Sequence, residues 1–156
     1  MNTLDLACES FRTLLEQQLR RIETLNQEKK DFSKMKTVTL GIVPGDGIGP
    51  IIMEAAVAVL KRLLAEELAA GTVVLKPIEG LTIENRLALN QPVPKDVLEQ
   101  IKACDVLLKG PTTTPMGGKM ESANVTLRRE LDLYANVRPV CIPEEGIDWM
   151  FYRENT

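Results

Sequence analysis

The sequence predicts an α/β fold with a sheet that is at least partly parallel, and three observations predict it. Short apolar runs rich in β-branched residues alternate with longer amphipathic stretches over most of the chain. Glycine- and proline-rich turns separate the two kinds of segment. The first apolar run passes through a glycine turn straight into a helical pattern, as strands do in parallel sheets.

An amphipathic segment precedes this pattern. From Leu4 to about Asn26, Leu4, Cys8, Phe11, Leu15, Leu19, Ile22 and Leu25 recur at three- and four-residue steps, which predicts a helix with one apolar stripe. Its charges are mixed, with Arg12, Arg20 and Arg21 set against Glu9, Glu16 and Glu23, whereas a mitochondrial presequence is poor in acids. Docking or self-association of this helix is therefore expected ahead of targeting. A polar, charged linker follows from Glu28 to Lys36, so residues 1–34 are expected to form a helix and linker, and residues 35–156 a partial domain.

Within that domain, Val38-Thr39-Leu40-Gly41-Ile42-Val43 reads as a buried strand that ends in the turn Pro44-Gly45-Asp46-Gly47-Ile48-Gly49-Pro50. Pro50 suits the first turn of the next helix, whose apolar positions Ile52, Ala55, Val59, Leu60, Leu63 and Leu64 run to about Leu68 before Gly71 closes it. A second strand is expected over 72–78, a helix from Pro94 with Val97, Leu98 and Ile101 on one face, and a third strand over 105–108. A Gly/Pro/Thr loop from Gly110 to Gly118, a helix from Asn124 to Leu133, and strands over 135–142 and 148–153 complete the pattern. The expected strand edges near Thr156 have no covering helix after them, which reads as a truncated domain.

Composition narrows the function. With 156 residues, 44% of them hydrophobic, the chain can bury one real core. A net charge of −3, from 19 basic and 22 acidic residues, offers no general attraction to nucleic acid or anionic membranes. No run approaches the roughly 20 apolar residues of a membrane span, and the first residues lack a basic region before an apolar core, so a cytoplasmic protein is expected. Cys8, Cys104 and Cys141 form no Cys-x-x-Cys pair and are expected to be buried free thiols. There is no histidine, so a Ser-His-Asp or Cys-His mechanism cannot be built from this chain alone. The match of Asn124-Val125-Thr126 to the N-glycosylation pattern lacks the secretory context it needs.

Two glycine motifs invite nucleotide readings. Gly45-x-Gly47-x-x-Pro50 lacks the third glycine of the dinucleotide fingerprint, and its glycines are equally explained by turns that require positive φ. Gly118-Lys119 fails as a phosphate loop, because Thr113 replaces the first glycine and Met120 the final Ser/Thr. Anion-binding groups are denser between Lys109 and Arg153. Ser122, Asn124 and Arg128 lie at a helix start, where N–H groups and the dipole favour a carboxylate or phosphate. Arg138 sits inside an apolar strand run and Arg153 ends the next one. Ordinary salt bridges to Glu130, Asp132 or Glu154 are the alternative use for these arginines.

Five runs make the pattern specific: Gly45-Asp46-Gly47-Ile48-Gly49-Pro50; Lys109-Gly110-Pro111-Thr112-Thr113-Thr114-Pro115; Ser122-Ala123-Asn124-Val125-Thr126-Leu127-Arg128; Leu131-Asp132-Leu133-Tyr134-Ala135-Asn136-Val137-Arg138-Pro139; and Arg153-Glu154-Asn155-Thr156. In this order and spacing, from about Thr37 onward, they resemble the isocitrate and isopropylmalate (β-decarboxylating) dehydrogenase family. The resemblance implies the N-terminal portion of the isopropylmalate dehydrogenase-like fold, and oxidation of a 2-hydroxy acid with NAD or NADP. Decarboxylation assisted by Mg2+ or Mn2+ follows in that family.

Carried over, Arg128, Arg138 and Arg153 are expected to bind substrate carboxylates, and Ser122 and Asn124 the carboxylate particular to isocitrate. Lys109 and Thr113 are expected where substrate meets the nicotinamide, Thr113 on the cofactor side. The family's catalytic tyrosine, catalytic lysine and metal-binding aspartates are expected beyond Thr156, and neither Tyr134 nor Tyr152 matches the tyrosine. The resemblance further implies a homo-oligomer in the complete protein. Isopropylmalate or another substituted malate, and a non-catalytic subunit or fragment, are the alternatives to isocitrate turnover.

Overall fold

The computed structural model describes residues 3–25, 30–115 and 120–155, and the chain divides into two units, Met1–Met35 and Lys36–Thr156. In the first unit, helix α1 (Thr3–Leu25) occupies the stretch whose three- and four-residue apolar spacing predicts it. Leu4, Phe11, Leu15, Leu19 and Ile22 are exposed along it. A 3-10 turn, Phe32–Lys34, follows, with the Asp31 carboxylate accepting from the Ser33 N–H and hydroxyl at 3.1 and 2.6 Å. Residues 26–29 of the expected linker lie outside the described residues.

The second unit contains two sheets. Strands β1 (Val38–Val43), β2 (Val73–Pro77) and β3 (Val106–Lys109) form a parallel sheet in the order β2-β1-β3. Leu40 is aligned with Leu75 on one side and Val106 on the other. Between β1 and β2 run helices α2 (Gly49–Leu63) and α3 (Ala65–Ala70), and between β2 and β3 run α4 (Ile83–Leu89) and α5 (Lys95–Lys102). After β3 come α6 (Ala123–Glu130) and an antiparallel hairpin of β4 (Ala135–Ile142) and β5 (Ile147–Glu154). This is the α/β arrangement that the strand-helix alternation predicts.

The core packs Val43, Ile78, Leu81, Val93, Val97, Ile101, Ala123 and Leu127 together. It therefore joins β1 to α5 and to the start of α6, which holds the ends of the sheet and α6 in a fixed relation. The hairpin contributes little to it, and Val137, Trp149, Phe151 and Tyr152 are exposed.

Three expectations need correction, and one helix is unanticipated. The helix expected to run unbroken to about Leu68 is interrupted at Leu64, where φ −103° and ψ 26° leave the α region, and α3 then ends on Gly71 at φ 72°. Helix α4 carries no apolar stripe, because the residue it buries is Arg86, so a search for hydrophobic periodicity passes over it. Its remaining signals are Thr82, whose hydroxyl accepts from Asn85 N–H at 3.3 Å, and Asn90 at φ 50°. Helix α6 stops at Glu130 rather than Leu133, as the backbone turns to φ 53° at Asp132. The cysteines are free thiols, but Cys8 on α1 and Cys141 on the hairpin are exposed, and Cys104 is half-buried, packed against the core from its edge. No helix among the described residues is long and apolar enough to cross a membrane.

Candidate functional site

Strand order places the site. The chain leaves β1 towards β2 on one side while β3 lies on the other, so the loops after β1 and β3 lie side by side at the carboxyl end of the sheet, where α/β folds of this order place their ligands. The two loops meet backbone to backbone. A Cβ at Gly45 would collide with the carbonyl of Pro111, and one at Gly110 with the carbonyl of Pro44. Gly45 and Gly47 also adopt φ 76° and 60°, the positive values that their turn requires. Asp46 N–H donates to the Pro111 carbonyl at 3.1 Å, and Thr113 N–H donates to Asp46 Oδ1 at 2.5 Å. The glycines of the first turn thus serve loop-to-loop packing.

Behind these loops lies a cluster of charge. Arg86 is fully buried, with Nε donating to the Pro92 carbonyl at 2.8 Å and Nη1 to the Thr113 carbonyl at 2.7 Å. Burial pulls its pKa below the ordinary arginine value, against the opposing pull of Asp46. Asp46 Oδ2 and Arg86 Nη2 are buried, with no hydrogen-bond partner among the described residues. Lys109, the last residue of β3, donates from Nζ to the Gly110 carbonyl at 2.6 Å. Burial is the main cause holding its pKa below the usual lysine value; the Asp46 carboxylate opposes this, while Arg128 and Arg86 add to it. Among the described residues, Arg86 and Arg128 thus act on Lys109 together with the Asp46 carboxylate, a balance of charge that favours an anion.

Helix α6 supplies the next groups. Ser122 occupies the N-cap position, and its hydroxyl makes no capping bond among the described residues. Glu121 secures the helix start instead: its carboxylate accepts from the Thr126 hydroxyl at 2.5 Å and from both Arg129 terminal nitrogens at 2.9 Å. That fork lowers the Glu121 pKa and raises that of Arg129. Asn124 is half-buried and lies 3.5 Å from the Thr112 hydroxyl, so the loop after β3 and the first turn of α6 are adjacent. Arg128 follows one turn later.

The expected site residues fall into two groups. Lys109, Thr113, Ser122, Asn124 and Arg128 lie on β3, its loop and α6, around the cluster of charge. Arg138 and Arg153 lie on the hairpin, both exposed. Arg153 pairs with Asn136, and Arg138 is two residues beyond Asn136, so both arginines project from the same hairpin face. Arg138 Nε donates to Asn136 Oδ1 at 3.1 Å. The hairpin end is tied to the segment after α6, since Asn155 donates to the carbonyls of Tyr134 and Leu133 at 3.1 and 2.8 Å. Of the acids expected as alternative partners, Glu130 pairs with Lys102 at 3.7 Å.

Sequence reasoning missed Arg86 as the group behind the Thr113 carbonyl, and treated Asp46 only as part of a turn. Gly118-Lys119 lies outside the described residues. Among the described residues no group of three or more His, Cys, Asp or Glu side chains could hold a metal ion.

Comparison with known proteins identifies the family. The family model described as isocitrate/isopropylmalate dehydrogenase matches residues 39–155. An isocitrate dehydrogenase [NADP] of Caldococcus noboribetus is 42% identical over 132 residues, covering 72% of this chain and 28% of that protein. A mitochondrial regulatory subunit of an isocitrate dehydrogenase [NAD] from Dictyostelium discoideum is 36% identical, covering 85% of this chain and 35% of its own length. Among solved structures, a β-decarboxylating dehydrogenase of Thermococcus kodakarensis superposes with TM-score 0.64 at 35% identity, over 77% of this chain and 34% of that one. The chain thus spans about a third of the length of these relatives. The chain belongs to the isocitrate/isopropylmalate dehydrogenase family.

Proposed function

We propose that the complete protein catalyses oxidative decarboxylation of isocitrate to 2-oxoglutarate with NAD or NADP. The observation that carries this reading is the group of cations at Lys109, on which Arg86 and Arg128 act together with the carboxylate of Asp46. A trianionic substrate needs several fixed cations, and hydride transfer needs its C–H held against the nicotinamide. In this reading Arg128, Arg138 and Arg153 bind substrate carboxylates, and Ser122 and Asn124 donate to the carboxylate that distinguishes isocitrate from isopropylmalate. Lys109 and Thr113 border the nicotinamide. The uncapped Ser122 hydroxyl supports this assignment, because it is not used up in closing the helix.

The Mg2+ or Mn2+ ligands, the catalytic tyrosine and lysine, and much of the cofactor pocket belong to the remainder of a complete protein, which is expected to be a homo-oligomer. The 156-residue chain alone is accordingly expected to be inactive. Relatives named for NADP and for NAD both match, so either nicotinamide cofactor fits. The test is isocitrate turnover by the complete protein with each cofactor and Mg2+, followed by Arg128→Met. Activity that falls at least about 100-fold in the variant is expected for loss of a bidentate carboxylate clamp worth about 3 kcal/mol. Undiminished activity in Arg128→Met would remove the assignment.

A second reading is favoured by the likeness to the Dictyostelium regulatory protein: an anion-binding subunit that does not itself turn over. Failure of the complete protein to oxidise isocitrate unless mixed with a second, catalytic chain would select it.

A further inference from the structure

We propose that α1 is a self-association element, which pairs in parallel and in register with α1 of a second copy of this chain. It lies outside the residues 39–155 that the family model matches, so the activity reading does not account for it. Its residues follow a heptad. With Cys8, Leu15 and Ile22 at the a positions, Leu4, Phe11 and Gln18 fall at d, a strict alternation of four- and three-residue steps. Leu14 at g and Leu19 at e widen the stripe on either side, and the large apolar members Leu4, Phe11, Leu14, Leu15, Leu19 and Ile22 are all exposed. A stripe held at seven-residue spacing along a straight helix is what a second helix of the same kind covers.

Charge and polarity choose the occupant and its direction. Within α1 four acids (Asp5, Glu9, Glu16, Glu23) accompany three arginines (Arg12, Arg20, Arg21), so an anionic membrane surface gains nothing from it. In a parallel pair the g residue of one helix meets the following e residue of the other, which brings Ala7 against Arg12 and Leu14 against Leu19. Neither contact opposes like charges. Gln18 decides the direction. In parallel register its amide meets the same amide, which both donates and accepts, whereas either antiparallel register sets it against Cys8 or Leu15 and leaves it unpaired. Arg21 Nη1 donates to Gln18 Oε1 at 3.2 Å within the helix, which leaves the Gln18 NH2 group to donate across the pair.

The native cysteines provide the test. Parallel register places Cys8 opposite Cys8 of the second copy at a distance a disulfide can span, whereas antiparallel pairing separates the two by roughly 15 Å or more. The 156-residue chain, with Cys104→Ser and Cys141→Ser to leave one thiol, would be analysed by light scattering and then oxidised with diamide, which takes up the two thiol hydrogens as the disulfide forms. The expected results are a mass twice 17.3 kDa before oxidation and a covalent dimer after it. Leu15→Glu should return the mass to 17.3 kDa without changing the melting temperature of the globular unit. A monomeric unmodified chain, a dimer that survives Leu15→Glu, or a dimer that forms no Cys8 disulfide would each overturn the proposal. So would a melting temperature lowered by Leu15→Glu, which would mean that α1 packs on its own chain.

Discussion

Replacing Arg86 with Met removes the group that fixes the loop after β3 from behind. Two charge-assisted hydrogen bonds are lost, to the carbonyls of Pro92 and Thr113 at 2.8 and 2.7 Å, each worth about 1.5–3 kcal/mol. Asp46, itself buried, loses a neighbouring cation while keeping the Thr113 N–H. Two effects offset part of this. The desolvation that lowers the Arg86 pKa disappears with the guanidinium, and Met fills much of the aliphatic volume. Thr113 is also exposed, so water can reach its carbonyl. The net loss should be about 2–4 kcal/mol, a large share of the roughly 5–15 kcal/mol typical of a domain. In urea, with an m-value of about 2 kcal/mol/M, the midpoint should fall by about 1–2 M with m unchanged. Arg86→Lys keeps a cation near Asp46 but loses the fork, and should recover no more than about half. A loss below about 0.5 kcal/mol in Arg86→Met, or full recovery with Lys, would refute the claim that the paired hydrogen bonds hold the loop.

Gly110→Ala should destabilise the globular unit by more than about 2 kcal/mol, because its Cβ would meet both the Pro44 carbonyl and Met53 Cγ, the latter at 2.8 Å; thermal unfolding reads this directly. Gly146→Ala, at φ 66° with open space around it, should cost only about 1 kcal/mol of backbone strain. Lys109 has a depressed pKa in the folded state, so the unfolded chain binds more protons between that value and the ordinary one, and stability should rise with pH through this window. Lys109→Met should flatten that rise, and in the complete protein anion binding should weaken as pH climbs through the same range. Glu121 has the opposite sign: its depressed pKa contributes stability above the ordinary glutamate value, which is lost as pH falls through the folded value. Glu121→Gln should remove that acid-side dependence, at a cost of no more than about 1 kcal/mol because Arg129 is largely exposed.

Much of this was legible in sequence. β1 and the hairpin strands announce themselves through β-branched and apolar runs, and α1 through its three- and four-residue apolar spacing. Gly45 and Gly47 could be read as turn formers, although the close approach of Pro111 that makes Gly45 necessary is a contact between distant parts of the chain that no local pattern encodes. Helix α4 and Arg86 were invisible for one reason: the inward residue is an arginine, so the signal that normally marks a buried helix face is missing. The cysteines failed differently. A lone Cys is often buried, but Cys141 sits on a hairpin strand whose side chains are mostly exposed, and only the topology shows that. Among the site residues, the grouping of Lys109, Asn124 and Arg128 follows from family spacing. The separation of Arg138 and Arg153 onto a hairpin face required the strand register.

The most direct test of the central claim is kcat/KM of the complete protein for isocitrate and for 3-isopropylmalate, in the unmodified form and with Ser122→Glu. An isopropyl branch would leave the Ser122 and Asn124 donors desolvated and unpaired, at roughly 1–3 kcal/mol each, which implies a preference for isocitrate of about 30-fold or more. Ser122→Glu should suppress isocitrate turnover by placing a negative charge against the incoming carboxylate, while Ser122→Ala should be milder. Equal kcat/KM for the two substrates, or an undiminished Ser122→Glu enzyme, would contradict the claim that the start of α6 reads the isocitrate carboxylate.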